Sequence, residues 1–248
     1  MNKVDLYREQ LKHTKDWIAF LRQASGLPGP RGNLELAQAV AFEGSDSLFE
    51  ELLAYTPERA PANTPEEFLA LCGALGLGRL LVEGHLERLE SLRNLASDPR
   101  WRLREAVAMA LQRWGDADLP GLMAEMERWA EGSFYERRAA TAALCEPRLL
   151  TKKSHVKKVL AILDRVTAEL TQVEERRSEA FQALRRGLGY CWSVAVAAHP
   201  EAGKQVMEHW LSSPDQDVRW IMKENLKKAR LKRMDAQWVK MGLARLNH

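Results

Sequence analysis

The sequence predicts an all-α chain, an α-solenoid of five or six helix pairs curved to present a concave face. Two observations carry this. Residues 101–111, WRLREAVAMAL, set a pattern that returns three times when Arg104, Arg137, Arg177 and Arg219 are aligned. Three residues on come Val107, Ala140, Ala180 and Met222; six on, Ala110, Ala143, Ala183 and Asn225; seven on, Leu111, Leu144, Leu184 and Leu226. Those offsets share one face of a helix turning about 100° per residue. The aligned arginines are 33, 40 and 42 residues apart, the range of helical repeats whose units bury their apolar faces only against neighbouring units.

Taken in order, residues 5–24 carry Leu6, Leu11, Trp17, Ile18, Phe20 and Leu21 among regularly spaced charges, an amphipathic helix that caps the stack. Three glycines and two prolines in residues 26–32 end it. Residues 34–42 and 47–55 read as short helices, the second with Ser45, Asp46 or Ser47 as its N-cap. After a break at 57–63, Thr64, Pro65, Glu66 and Glu67 open a helix with a cap, a proline at its first position and acids in its first turn. Residues 80–95 pair with a helix beginning near Asp98, and from there the repeats are regular. First helices at 119–130, 154–170 and 201–211 precede the helices of Arg137, Arg177 and Arg219, and an amphipathic stretch at 235–246 covers the open end. The expected organisation is one domain over residues 1–248: an N-terminal cap with degenerate repeats at 1–63, regular repeats at 64–233 and a capping helix at 234–248. Gly187 and Gly189 interrupt the third repeat's phase, which leaves the orientation of Tyr190 open.

Composition narrows the function classes. Hydrophobic residues make up 46% of the chain and charged residues 29%, and no apolar run is long enough to span a bilayer. Lys3, Asp5, Arg8 and Glu9 precede any apolar stretch, so a signal peptide is not expected and a cytoplasmic location is. Cys72, Cys145 and Cys191 stand far apart in apolar helical contexts and read as buried free thiols. No cofactor and no metal are expected. Gly73, Gly76 and Gly78 have the spacing G-x-x-G-x-G, but with no strand before them they do not read as a nucleotide loop.

The charge is uneven. Residues 1–147 hold 17 Lys+Arg against 23 Asp+Glu, and residues 148–248 hold 20 against 11. A basic half of this kind attracts polyanions independently of their sequence. With the packed offsets assigned, the other side of each repeated helix holds Trp101, Glu105, Ala108 and Gln112; Phe134, Arg138, Thr141 and Cys145; Glu174, Ser178, Phe181 and Arg185; Gln216, Trp220, Lys223 and Lys227. Cations for phosphates interleaved with flat rings for bases suit nucleic acid. The same residues also fit a structural reading, in which the aromatics fill joints between repeats and Glu105 is a first-turn glutamate favoured by the helix dipole.

The repeat resembles a HEAT repeat, and residues 98–228 resemble the AlkD-like DNA glycosylase family, the DNA alkylation repair superfamily. The resemblance rests on three short motifs: WRLRE at 101–105, YERRAA at 135–140, and the segment from Gly189 and Tyr190 to His199 and Pro200. It implies that Trp101 and Glu105 stand at the family's catalytic Trp and Asp, Arg138 at a phosphate-contacting Arg, and Tyr190 at a second, lesion-framing Trp. Two of these four positions are substituted, Glu for Asp and Tyr for Trp. It also implies that Asp98 and Arg104 form an inter-repeat ladder. For alkylated bases the chemistry is direct: a carboxylate near the sugar stabilises the developing oxocarbenium ion while aromatic faces attract the cationic base.

The expectation is a nucleic-acid-binding protein, contacting duplex DNA through Arg138, Arg185, Lys223, Lys227, Trp220, Phe134 and Tyr190, with base excision at Trp101 and Glu105 implied by the resemblance. The alternative is a non-catalytic scaffold whose concave face grips a protein partner. No membrane partner is expected.

Overall fold

The computed structural model describes residues 2–246. Among them are fifteen α-helices and no strands. The chain forms two compact units, Met1–Leu119 and Pro120–His248.

The first unit holds α1 (Lys3–His13), α2 (Trp17–Ala24), α3 (Leu34–Glu43), α4 (Asp46–Leu53), α5 (Pro65–Val82), α6 (Arg88–Leu95) and α7 (Trp101–Ala117). Its axis is α5, apolar all round and buried from Glu67 to Gly78. A helix of that kind belongs in a core rather than at a surface. It packs between α3 and α7, and α3 in turn packs on α1. Two glycines set the approach: a Cβ on Gly78 would lie 2.6 Å from the Ala110 backbone of α7, and one on Gly76 only 2.3 Å from the Phe49 ring of α4. The G-x-x-G-x-G spacing therefore lies inside a helix and serves close packing. Thr64 caps α5 through the Glu67 amide with Pro65 at the first position, as its sequence predicts. Ser45 is the cap of α4.

Two boundaries depart from the sequence reading. Residues 5–24 form two helices, because the Asp16 carboxylate caps a new one by accepting from the Ala19 amide at 2.9 Å, and the Trp17 Nε1 donates to the Leu11 carbonyl at 3.1 Å. Residues 80–95 do not form one helix either: α5 runs on to Val82, Gly84 takes a left-handed φ of 97°, and α6 starts only at Arg88.

The second unit holds α8 (Leu119–Trp129), α9 (Phe134–Leu144), α10 (Lys153–Thr171), α11 (Glu179–Ala198), α12 (Pro200–Trp210), α13 (Gln216–Leu226), α14 (Ala229–Met234) and α15 (Ala236–Leu246). Here α11 is the axis, packed between α9 and α13 with α10 and α12 also against it. The short α14 has no counterpart in the sequence reading. The final two positions of the expected 234–248 capping segment lie outside the described residues.

The repeated face is buried at every position but Ala180, which is half-buried. Val107, Ala110 and Leu111 of α7, Ala140, Ala143 and Leu144 of α9, Ala183 and Leu184 of α11, and Met222, Asn225 and Leu226 of α13 are all inside. Each fully buried leucine contributes about 1.5–3 kcal/mol. Gly187 and Gly189 do not break α11. Their neighbourhood is instead bridged by Asn225, whose Nδ2 donates to the Leu188 carbonyl at 2.8 Å while its Oδ1 accepts from the Ser193 amide at 2.7 Å.

Candidate nucleic-acid interface

Three of the four aligned arginines, Arg104, Arg137 and Arg219, tie elements together, and the Asp98 carboxylate is taken up by Arg100. The Asp98 carboxylate holds Arg100 from two sides, at 2.9 Å to Nε and 2.7 Å to Nη2, and Arg100 Nη1 donates to the carbonyls of Tyr55 and Ala60. Arg104 donates to the carbonyls of Asp98 and Pro99 in the preceding turn. Arg137 pairs with Glu169 of α10 at 2.9 Å, and Arg219 donates to the Leu246 carbonyl of α15. In the third repeat the tie shifts by one residue. Arg177 is exposed ahead of the α11 cap Ser178, and Arg176 reaches forward to Asp215 at 2.7 Å and Asp217 at 3.0 Å at the start of α13. Its bond to Asp215 holds the Arg176 guanidinium above its ordinary range.

The side of the helices left over by the repeat offsets is only partly open. Ala108, Arg138, Thr141, Cys145 and Phe181 are buried. The reason is lateral stacking: α5 and α11 have a helix on either side, so the neighbouring helices take part of the face that pairing within a repeat leaves uncovered.

Within the second unit the expected interface residues divide into two groups. Phe134 packs edge-on against Phe181, ring centroids 5.8 Å apart. Arg138 is 9% exposed, with its side chain running past Gly187, so little of it is available to a phosphate. Arg185 lies 3.8 Å above the Trp220 ring and pairs with Asp217 at 2.6 Å, so this cation and ring are engaged with each other. These four act mainly inside the fold.

Tyr190, Lys223 and Lys227 stand at the surface instead. Tyr190 is 44% exposed although Gly189 and Cys191 beside it are buried. Arg230 of α14 places its guanidinium 4.7 Å from the Tyr190 ring centroid and donates to the hydroxyl at 2.5 Å, and the Lys228 ammonium lies 5.7 Å from the same ring. Lys223 and Lys227 are exposed one turn apart at the end of α13, the latter paired with Glu224. The sequence reading missed Lys228 and Arg230, although residues 223–233 hold six cations and one acid. The helix phase used to select residues ends before α14, so the local charge run was the signal that could have found them.

In the first unit Trp101 and Glu105 are both exposed, one turn apart at the start of α7, with Trp101 50% accessible. Beneath the indole, 4.6 Å from its ring, lies the guanidinium of Arg102. That group is buried, donating to Glu67 at 3.1 Å and to the Gly29 carbonyl at 2.7 Å. The indole is thus held by a fixed cation, and an exposed carboxylate stands one turn further along.

Among the described residues no group of three or more His, Cys, Asp or Glu side chains is placed to hold a metal ion, and no helix is long and apolar enough to cross a membrane. The three cysteines are free and buried, and burial pushes the thiols of Cys72 and Cys145 up. No protein-family model, curated protein or solved structure matches the chain.

Proposed function

We propose that each unit is a run of α-solenoid built from HEAT-like helix pairs, related to the AlkD-like proteins, and that the chain binds nucleic acid, duplex DNA through its phosphate backbone. The neighbour order supports the solenoid. Helices α1, α3, α5 and α7 follow one another through the first unit, and α9, α11 and α13 through the second, which is the order of stacked pairs.

The single observation that carries the binding reading is the exposed Tyr190 ring with Arg230 and Lys228 over it, continuous in sequence with Lys223 and Lys227. Cations at such a surface neutralise phosphates, and a flat exposed ring accepts a sugar or an unstacked base. The unit carrying it holds 23 Lys+Arg against 16 Asp+Glu, while the first unit holds 14 against 18. The test is binding of a labelled duplex by wild type and by the double variant Lys228→Glu, Arg230→Glu. Loss of two phosphate contacts weakens binding about uniformly across DNA sequences and lowers the salt slope by about 2. Unchanged binding refutes the assignment of this surface. Absent DNA affinity together with nuclease-insensitive capture of one protein favours a scaffold.

A second reading, base excision, is favoured by the joint exposure of Trp101 and Glu105 on one face of α7. In it the glycosidic C–N bond of a cationic alkylated base breaks, the base leaves with the bonding pair, and the Glu105 carboxylate stabilises the sugar cation or orients water onto it. Release of an alkylated purine that falls at least tenfold in Glu105→Gln supports this reading, and an inactive wild type removes it.

A further inference from the structure

Lys3, Leu6, Tyr7 and Gln10 follow one another at the spacing that puts side chains on one face of α1. That face is one wall of a cleft of about 600 Å³, inside the ~300–1,000 Å³ range of small-molecule sites. The facing wall is the turn ahead of α3 together with the first turn of α3, and it contributes Gly26, Arg31, Gly32, Asn33 and Glu35.

The turn is held from behind. Gly26 takes a left-handed φ of 74°, and the Asn33 amide donates to the Ser25 carbonyl at 2.8 Å. The Gly29 amide donates to Asn63 Oδ1 at 3.0 Å, while the Gly29 carbonyl accepts from the buried Arg102 at 2.7 Å. A wall fixed in this way has little freedom left to lose when a ligand arrives.

The groups that line the cleft are unbalanced in charge. Lys3 and Arg31 stand against one carboxylate, Glu35, which pairs with Arg31 at 3.1 Å. Among the described residues Lys3 has no ion pair. The Tyr7 hydroxyl accepts from Asn33 Nδ2 at 2.9 Å, which leaves its own proton to donate. Leu6, on the same face of α1, is 50% exposed and supplies an apolar surface beside these donors. One surplus positive charge suits a monoanion, because the second charge of a phosphate dianion would be set beside the Glu35 carboxylate. The exposed leucine suits an apolar tail on that monoanion.

We propose that this cleft binds a small monocarboxylic acid, its carboxylate taken by Lys3 and the Tyr7 hydroxyl and its apolar tail lying on Leu6. The site lies wholly in the first unit and does not depend on the DNA-binding reading of the second.

The full chain is titrated with sodium hexanoate, sodium acetate and hexanol at matched ionic strength. Binding is read by calorimetry and by the amide shifts of Gly26 and Gly32. One saturable hexanoate site is expected, with Kd on the order of 1 mM. Acetate should bind roughly tenfold more weakly for want of the tail, and hexanol about fivefold or more weakly for want of the charge. Lys3→Gln, at an exposed position, is expected to bring hexanoate down to the affinity of hexanol with an unchanged thermal midpoint, and Leu6→Gln to bring it down to that of acetate. Wild type without saturable hexanoate binding at these amides overturns the site. Hexanol binding as tightly as hexanoate, or Lys3→Gln binding hexanoate as wild type does, overturns the carboxylate assignment. Acetate binding as tightly as hexanoate overturns the role of Leu6.

Discussion

Asn225 holds the position that alanine holds in α7, α9 and α11, and its carboxamide explains why. It is fully buried and bonded to the Leu188 and Ile221 carbonyls and to the Ser193 amide. Asn225→Ala leaves those groups of α11 and α13 without this partner inside the core and is expected to cost about 1–3 kcal/mol by chemical denaturation. A variant as stable as wild type contradicts the bridge. Asp98 poses the same kind of question. It is buried with Arg100, so Arg100→Met strands a buried carboxylate and is expected to cost about 3–5 kcal/mol, whereas exposed Arg177→Met should change stability by less than about 0.5 kcal/mol. Equal effects of the two would contradict the assignment of Arg100 as a tie. Neither role was legible in the sequence. The HEAT resemblance implied Asp98 with Arg104, and nothing local marks which of two nearby arginines a carboxylate takes. Helix phase put Trp101 and Glu105 on the side away from the packed face, and there they are exposed.

At the scale of the element, periodicity located the helices well where an apolar face and a cap coincide. Thr64 before Pro65 and Ser45 before Asp46 are such starts. Periodicity failed where a helix is apolar all round, as in α5, or where a short polar turn splits one apolar stripe, as at Asp16. It also failed at α14, six residues whose charges obscure any stripe. The glycines of α5 read as a motif and are packing devices. Gly78→Ala forces a methyl against the Ala110 backbone and is expected to destabilise by about 1–3 kcal/mol, against the usual gain from replacing a helical glycine. A thermal midpoint at or above wild type contradicts the close approach of α5 and α7. The open stripe expected along α7, α9, α11 and α13 was overestimated for a related reason. One helix's phase shows which side its partner covers but not what its lateral neighbours cover, and so Arg138 and Phe181 proved to be buried.

For the molecule as a whole, the charge asymmetry was the most legible functional signal, and the division into two units sharpens it. The acidic first unit and the basic second unit carry −4 and +7 by residue count. Much of the basic charge is spent inside the second unit, on the pairs of Arg137, Arg176 and Arg185. Of the cations at its surface, Lys223, Lys227, Lys228 and Arg230 lie at the end of α13 and in α14, with Tyr190 beside Lys228 and Arg230, while Lys152, Lys153, Lys157 and Lys158 are exposed around the start of α10. The proposed nucleic-acid binding is placed on a few residues rather than on net charge, and it has a quantitative consequence. If Lys223, Lys227, Lys228 and Arg230 together neutralise about four phosphates, log K against log salt falls with a slope of about −3 to −4. The most direct measurement is that slope, taken with a plain duplex from low salt upward. Measurable binding at low salt that declines with this slope is the predicted result, and absent binding at low salt, or affinity indifferent to salt, contradicts it.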